Sequence, residues 1–183
     1  RKALERGITA VSGLYMLVAQ AVYASSIFTD TEYDKKIIDD IYNQIYNNKR
    51  NIVLIGMPTC GKTTISKLLA DKLNKEVVDT DTLVEEKMGT TIKEYLKTHD
   101  ETSFRDIETK VINEVSKLNN LIISTGGGVI KRKNNIEYLK ANGLIIFIDR
   151  PLELLQVSDT RPLSSNQSDL EKLYHERYDL YCN

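Results

Sequence analysis

Only two of the 183 residues are cysteine, Cys60 and Cys182, too few for a disulfide framework or a zinc site. A reducing compartment suits such a chain, so a cytoplasmic location is expected. Neither sign of charge predominates: 25 Lys and Arg stand against 26 Asp and Glu. No stripe of clustered basic residues breaks that balance, and no nucleic-acid partner is expected. Internal repeats and low-complexity tracts are absent too. With no methionine at position 1, the sequence reads as a piece of something longer. The length suits one α/β domain with a real core plus an additional segment.

Charge is missing altogether from Gly7 to Thr29, "GITAVSGLYMLVAQAVYASSIFT". With Arg1, Lys2 and Arg6 ahead of it, this stretch is a candidate signal peptide or membrane span. Thr9, Gln20 and several serines weigh against that, as does the lack of a dense Leu/Ile/Val block. Leu14, Leu17, Ala21, Ala24 and Phe28 fall at helical spacing, so a packed helix is expected and no membrane partner. Residues 30–50 are polar, with Ile37, Ile38, Ile41, Tyr42 and Ile45 on a helical period, and predict an amphipathic linker helix.

Beyond Asn51 short apolar runs alternate with helical patterns. "IVLI", "EVVDTD", "LIIS" and "LIIFID" read as strands, and Lys62 to Leu73, Thr82 to Lys97 and Thr102 to Leu118 as helices. This is the pattern of an α/β fold, a parallel sheet with helices on both faces.

The first strand runs into Gly56 to Thr63, which satisfies G-x-x-x-x-G-K-[ST]. That spacing lets successive backbone N–H groups surround a phosphate at the positive end of the following helix. Lys62 is expected to reach the β/γ oxygens and the Thr63 hydroxyl to ligate Mg²⁺. The nucleotide-binding set is then Gly61, Lys62, Thr63, Thr64, Ile65 and Ser66. A switch GTPase needs N-K-x-D, but "NKEV" at 74–77 has Val77 in place of the aspartate, and no D-x-x-G follows a strand. The chain is short for an ATPase motor, which leaves a small kinase.

On the acceptor side, Asp79 and Asp81 close the second predicted strand. Residues two apart on an extended chain point the same way, so both carboxylates are expected to face the γ-phosphate. One would hold Mg²⁺ through water, and the other would orient or deprotonate an attacking hydroxyl. The bland alternative is Asp81 as a helix N-cap. Arg105 stands among Asp100, Glu101, Asp106 and Glu108, where a surface salt bridge is the ordinary reading. Gly126, Gly127 and Gly128 leave bare backbone at the end of a buried strand, on which a ligand can lie. Arg161 sits in the polar loop "DTRPLSS" and Arg177 on the last helix.

Taken in order, the phosphate loop, D-x-D, F-R-x-x-E, G-G-G, R-P-L and R-x-x-L-Y resemble shikimate kinase over residues 51–183. The resemblance implies a nucleoside monophosphate kinase-like P-loop fold with a lid, and transfer of the γ-phosphate of ATP to the 3-hydroxyl of shikimate. It implies that Asp81 holds the shikimate hydroxyls and serves as base, with Lys62 and Arg161 also catalytic. Arg105 and Arg177 would grip the shikimate carboxylate, and Gly126 to Gly128 would contact it through backbone. Thr63 and Asp79 would serve Mg²⁺, and Arg161 would lie in the lid over ATP. A monomeric kinase domain is expected.

This chain departs from the family in three places. Thr59 and Cys60 replace a glycine and a small residue in the phosphate loop. The adenine-stacking arginine gives way to residues near Gln156 and Val157. The sequence stops at "LYCN", where a further strand and helix are expected.

Gly13, Leu14, Met16, Leu17, Gln20 and Ala21 resemble the C-terminal helix of shikimate dehydrogenase. That divides the chain into a dehydrogenase remnant (1–29), a helical linker (30–50) and a kinase domain (51–183) from a multifunctional parent. The alternatives are another small-metabolite P-loop kinase, of the gluconate type, and a degenerate nucleotide-binding regulatory module.

Overall fold

The computed structural model describes residues 13–155 and 167–182. It divides into two units, up to Lys49 and from Arg50 onward.

The first unit is a helical hairpin of α1 (Gly13–Thr29) and α2 (Lys35–Lys49). Its small core is Val18, Val22 and Ile38, flanked by Leu14, Ile41 and Ile45. Tyr15 packs edge-on against Tyr42 at 5.3 Å and donates its hydroxyl proton to Asp39. The inward row is therefore Leu14, Val18 and Val22, which shares only Leu14 with the predicted one. Leu17 is 59% and Phe28 89% exposed, because the row facing Ile38 is rotated from the row that looked most apolar in sequence. Among the described residues, no helix is long and apolar enough to cross a membrane.

The second unit is α/β. Four strands, β1 (Asn51–Ile55), β2 (Glu76–Asp79), β3 (Leu121–Ser124) and β4 (Gly143–Phe147), pair in parallel in the order β2-β3-β1-β4. All four residues of β3 are buried, so both faces of the sheet are covered, as a parallel sheet requires. Their helices are α3 (Lys62–Leu73), α4 (Thr80–Met88), α5 (Ile92–Thr98), α6 (Glu101–Val115), α7 (Lys133–Asn142) and α8 (Gln167–Cys182). Val53, Ile123, Ile112 and Leu139 fill the core between them. Buried Asn51 ties the start of β1 to the turn before β3, donating to the Leu118 carbonyl and accepting from Leu121 N.

Two predicted elements differ. The second strand ends at Asp79, not Asp81, because the Asp79 side chain accepts from Asp81 N and caps a helix starting at Thr80. The single helix predicted over Thr82–Lys97 is two. Gly89 ends α4 at φ +69°, and Thr91 caps α5 by accepting from Glu94 N.

With β1 central, the loops after β1, β2 and β3 open side by side at the carboxyl edge of the sheet, where ligands of open α/β folds bind.

Candidate active site

The loop after β1 wraps the start of α3. Lys62 is buried, and its Nζ donates to the carbonyls of Gly56 (2.9 Å) and Met57 (2.8 Å) and approaches Cys60 Sγ at 3.6 Å. Beside it lies a cleft of about 220 Å³ lined by Thr59, Gly61, Lys62, Thr63 and Thr64. Ile65 and Ser66 lie just beyond. Ile65 N donates to Gly61 O and the buried Ser66 hydroxyl to Thr63 O, so both are spent on the helix itself. Thr59 sits at φ +62°, the left-handed region. For a residue with a Cβ that backbone costs about 1–2 kcal/mol. Its hydroxyl donates to Pro58 O at 2.6 Å.

Gly126, Gly127 and Gly128 gather the acceptor-side residues. A methyl group on Gly126 would collide with the Asp81 carboxylate, and one on Gly128 with the Arg105 guanidinium. At Gly127 it would lie 2.8 Å from Pro58 Cδ of the phosphate loop. The three glycines are thus required by close approach. They bring Asp81 of α4, Arg105 of α6 and the phosphate loop after β1 to one point.

Asp79 and Asp81 do not share a face of an extended chain. Asp79 is the cap, and Asp81 stands in the first turn of α4 against Gly126. Asp81 is therefore not the N-cap of the bland alternative either.

Arg105 is no surface salt bridge but a buried ion pair. Its Nη1 donates to both oxygens of buried Glu108 at 3.0 Å, while Nε and Nη2 reach Glu101 at 3.2 and 3.0 Å. Lys131 also holds Glu101, at 3.2 Å. Burial pushes the Glu108 carboxyl up, against the pull of Arg105, and the nearby Asp81 charge adds to the rise. Burial would raise Glu101 as well, but hydrogen bonds from Arg105 and Lys131 outweigh it and hold that carboxyl low.

Removing one partner of such a pair leaves a buried charge uncompensated. Glu108→Ala is expected to cost about 3 kcal/mol, the low end for a buried pair because Glu101 remains. The folded protein holds the Glu108 proton more tightly than the unfolded chain does. Its contribution to stability therefore grows as pH falls toward the ordinary value of 4.5 and is lost as pH rises through the folded pKa. Urea unfolding at pH 7 and pH 5 should show the deficit of the variant widening at the lower pH.

Arg177, on α8, is 2% exposed; Nη1 donates to Gly127 O at 3.1 Å, and buried Nε has no partner among the described residues. Arg161 lies outside the described residues, as do Gln156 and Val157.

Two residues of the site carried no predicted role, Glu108 and Tyr181. Tyr181 is buried, and its hydroxyl touches Gly56 O at 3.0 Å and Gly127 O. The signal for Glu108 was the i, i+3 spacing from Arg105, which puts both on one helix face. Tyr181 closes the R-x-x-L-Y pattern, but its contacts lie 125 and 54 residues away.

Phosphoryl transfer needs a donor cleft with acceptor-binding groups within reach, and the phosphate-loop cleft with Asp81, Arg105 and Arg177 gathered on the adjoining glycine loop defines the class as a P-loop small-molecule kinase. A family model for shikimate kinase matches residues 58–183. The shikimate kinases of Clostridium botulinum (strain Eklund 17B) and Caldicellulosiruptor bescii are 48% and 45% identical, each over 73% of this chain and 82% of the relative. A solved shikimate kinase from Acinetobacter baumannii in complex with shikimate matches with TM-score 0.71 at 34% identity, covering 76% of this chain and 82% of that one. The structure from Aquifex aeolicus gives TM-score 0.63 at 33% identity, over 72% and 82%. The chain belongs to the shikimate kinase family.

Proposed function

We propose that the residues gathered around Gly126–Gly128 carry out shikimate kinase chemistry, transfer of the γ-phosphate of ATP to the 3-hydroxyl of shikimate. The observation that carries the assignment is the convergence of one carboxylate and two buried guanidinium groups on a glycine loop beside the phosphate loop. A small acid with vicinal hydroxyls matches that chemistry.

Arg177 offers its unpartnered Nε edge to the shikimate carboxylate while Nη1 keeps Gly127 O. A buried donor left without a partner costs about 1–3 kcal/mol, which a carboxylate oxygen recovers. Arg105 supplies the second cation, held in place by Glu101 and Glu108. Asp81, against bare Gly126 backbone, orients the acceptor hydroxyl and takes its proton as the O–P bond forms. Lys62 turns from the loop carbonyls to the phosphate oxygens, and the charge of Arg161 would add to its own there.

Mg²⁺ is a hard ion that takes few protein ligands and otherwise binds phosphate and water oxygens. The Thr63 hydroxyl, lining the cleft, and the Asp79 carboxylate, at the end of β2, fit that donor type. When bound, the ion neutralises charge on the β- and γ-phosphates.

ADP release by the wild type in the presence and absence of shikimate tests the reading. It stands if ADP forms with shikimate and fails if gluconate, or no acid, stimulates release equally.

The hairpin of α1 and α2 is read as the tail of a shikimate dehydrogenase fused ahead of the kinase. Support is the pattern of Gly13, Leu14, Met16, Leu17, Gln20 and Ala21 and the hairpin's separateness from the kinase unit. An upstream reading frame that encodes no dehydrogenase would refute it.

A further inference from the structure

We propose that Tyr181 is a positioning residue that sets the spacing between the phosphate loop and the acceptor loop. The proposal rests on the assignment of the first loop to nucleotide and of Gly126–Gly128 to shikimate.

β1 and β3 are adjacent, and their register holds them together through Leu54 and Ser124. Thr125 continues the tie, since its N–H and hydroxyl both donate to Leu54 O, at 3.2 and 3.0 Å. Past that point the chains continue as two loops, one leading to the donor phosphate and one to the acceptor, packed together at Pro58 and Gly127. In-line transfer depends on the distance between them.

Tyr181 joins the two loops from a third element. Its ring stacks on Phe147, the last residue of β4, with centroids 5.0 Å apart and planes within 8°. Its hydroxyl lies against Gly56 O of the phosphate loop and Gly127 O of the acceptor loop. Burial raises its pKa, so it keeps its proton throughout the working range.

A hydroxyl has one proton and donates fully to one carbonyl at a time. Here each carbonyl has a second donor. Gly56 O accepts from Lys62 Nζ at 2.9 Å, and Gly127 O accepts from Arg177 Nη1 at 3.1 Å. While Lys62 holds the loop carbonyls, neither Gly56 O nor Gly127 O relies on Tyr181 to be satisfied; when Lys62 turns to the phosphate, the Tyr181 hydroxyl still reaches Gly56 O, and in both states it adds geometry. It joins the carbonyl under the phosphate lysine to the carbonyl under the carboxylate arginine and holds the two at a fixed separation.

A tyrosine kept only for packing predicts that phenylalanine replaces it without consequence. The positioning role predicts otherwise. In Tyr181→Phe the stack on Phe147 is retained and, before nucleotide draws Lys62 away, both carbonyls keep a donor, so the protein without nucleotide should fold with a thermal midpoint close to that of the wild type. Each substrate retains its own contacts, and both KM values should stay within about 3-fold. With the reacting atoms less well aligned, kcat should fall about 10-fold, since misplacement of about 1 Å at a reacting centre costs up to about 100-fold. Water should also compete for the γ-phosphate, giving ADP and inorganic phosphate, so that ADP exceeds shikimate 3-phosphate.

Phe147→Leu is the companion variant. It keeps the hydroxyl and loses the stack, and should lower stability while leaving kcat per folded molecule and the 1:1 product ratio nearly unchanged. Wild-type kcat and a 1:1 ratio in Tyr181→Phe would overturn the proposal. So would an equal loss of kcat in Phe147→Leu, which would make packing the cause. Wild type that forms no shikimate 3-phosphate would instead refute the assignment of the loops.

Discussion

Asp81→Asn should lower kcat by about 10²–10⁴-fold, the usual worth of a positioned general base, while the KM for ATP stays within about 3-fold. The substituent is nearly isosteric and keeps an acceptor oxygen toward the shikimate hydroxyls. What it loses is the ability to take the proton. The carboxylate lies where a side chain on Gly126 would stand, and asparagine fits the same place. A steady-state assay of ADP release separates the two parameters. A kcat within about 10-fold of wild type would mean that the loose transition state of phosphoryl transfer needs no base here and that Asp81 only orients the acceptor.

Arg177→Lys should raise the KM for shikimate by between about 10- and 100-fold and leave kcat at saturating acceptor comparatively intact. A charge-assisted hydrogen bond to a carboxylate is worth about 1.5–3 kcal/mol. Lysine keeps the charge but not the planar fork, which here serves two masters: Nη1 on Gly127 O and Nε toward the ligand. An ammonium group that turns to one abandons the other. Should the KM for ATP rise instead, Arg177 belongs to the nucleotide side and the carboxylate must be sought elsewhere.

The parts legible in the sequence are those governed by local pattern. The run from β1 through the phosphate loop to α3 was readable because an apolar strand, fixed glycine and lysine spacing and a helical period follow one another. β3 and its glycines were readable for the same reason. The position of Asp81 was misread because a strand and a capped helix meet at Asp79, and the cap decides where extension stops. The surroundings of Arg105 misled in another way: a cluster of acids around an arginine looks like surface, and only tertiary packing tells that Glu108 is buried with it. Tyr181 was legible only as the end of the R-x-x-L-Y pattern; its contacts were not, since its partners belong to loops more than fifty residues away.

Gly126–Gly128 have a further consequence for how this chain can change over generations. Three consecutive positions face three different neighbours, Asp81, Pro58 and Arg105, and each neighbour occupies the space where a side chain would have grown. Mutations at adjacent codons would therefore injure different parts of the site. An insertion or deletion of a single residue would offer every neighbour the wrong position at once. Loops commonly absorb changes in length; this one is a ruler with three marks.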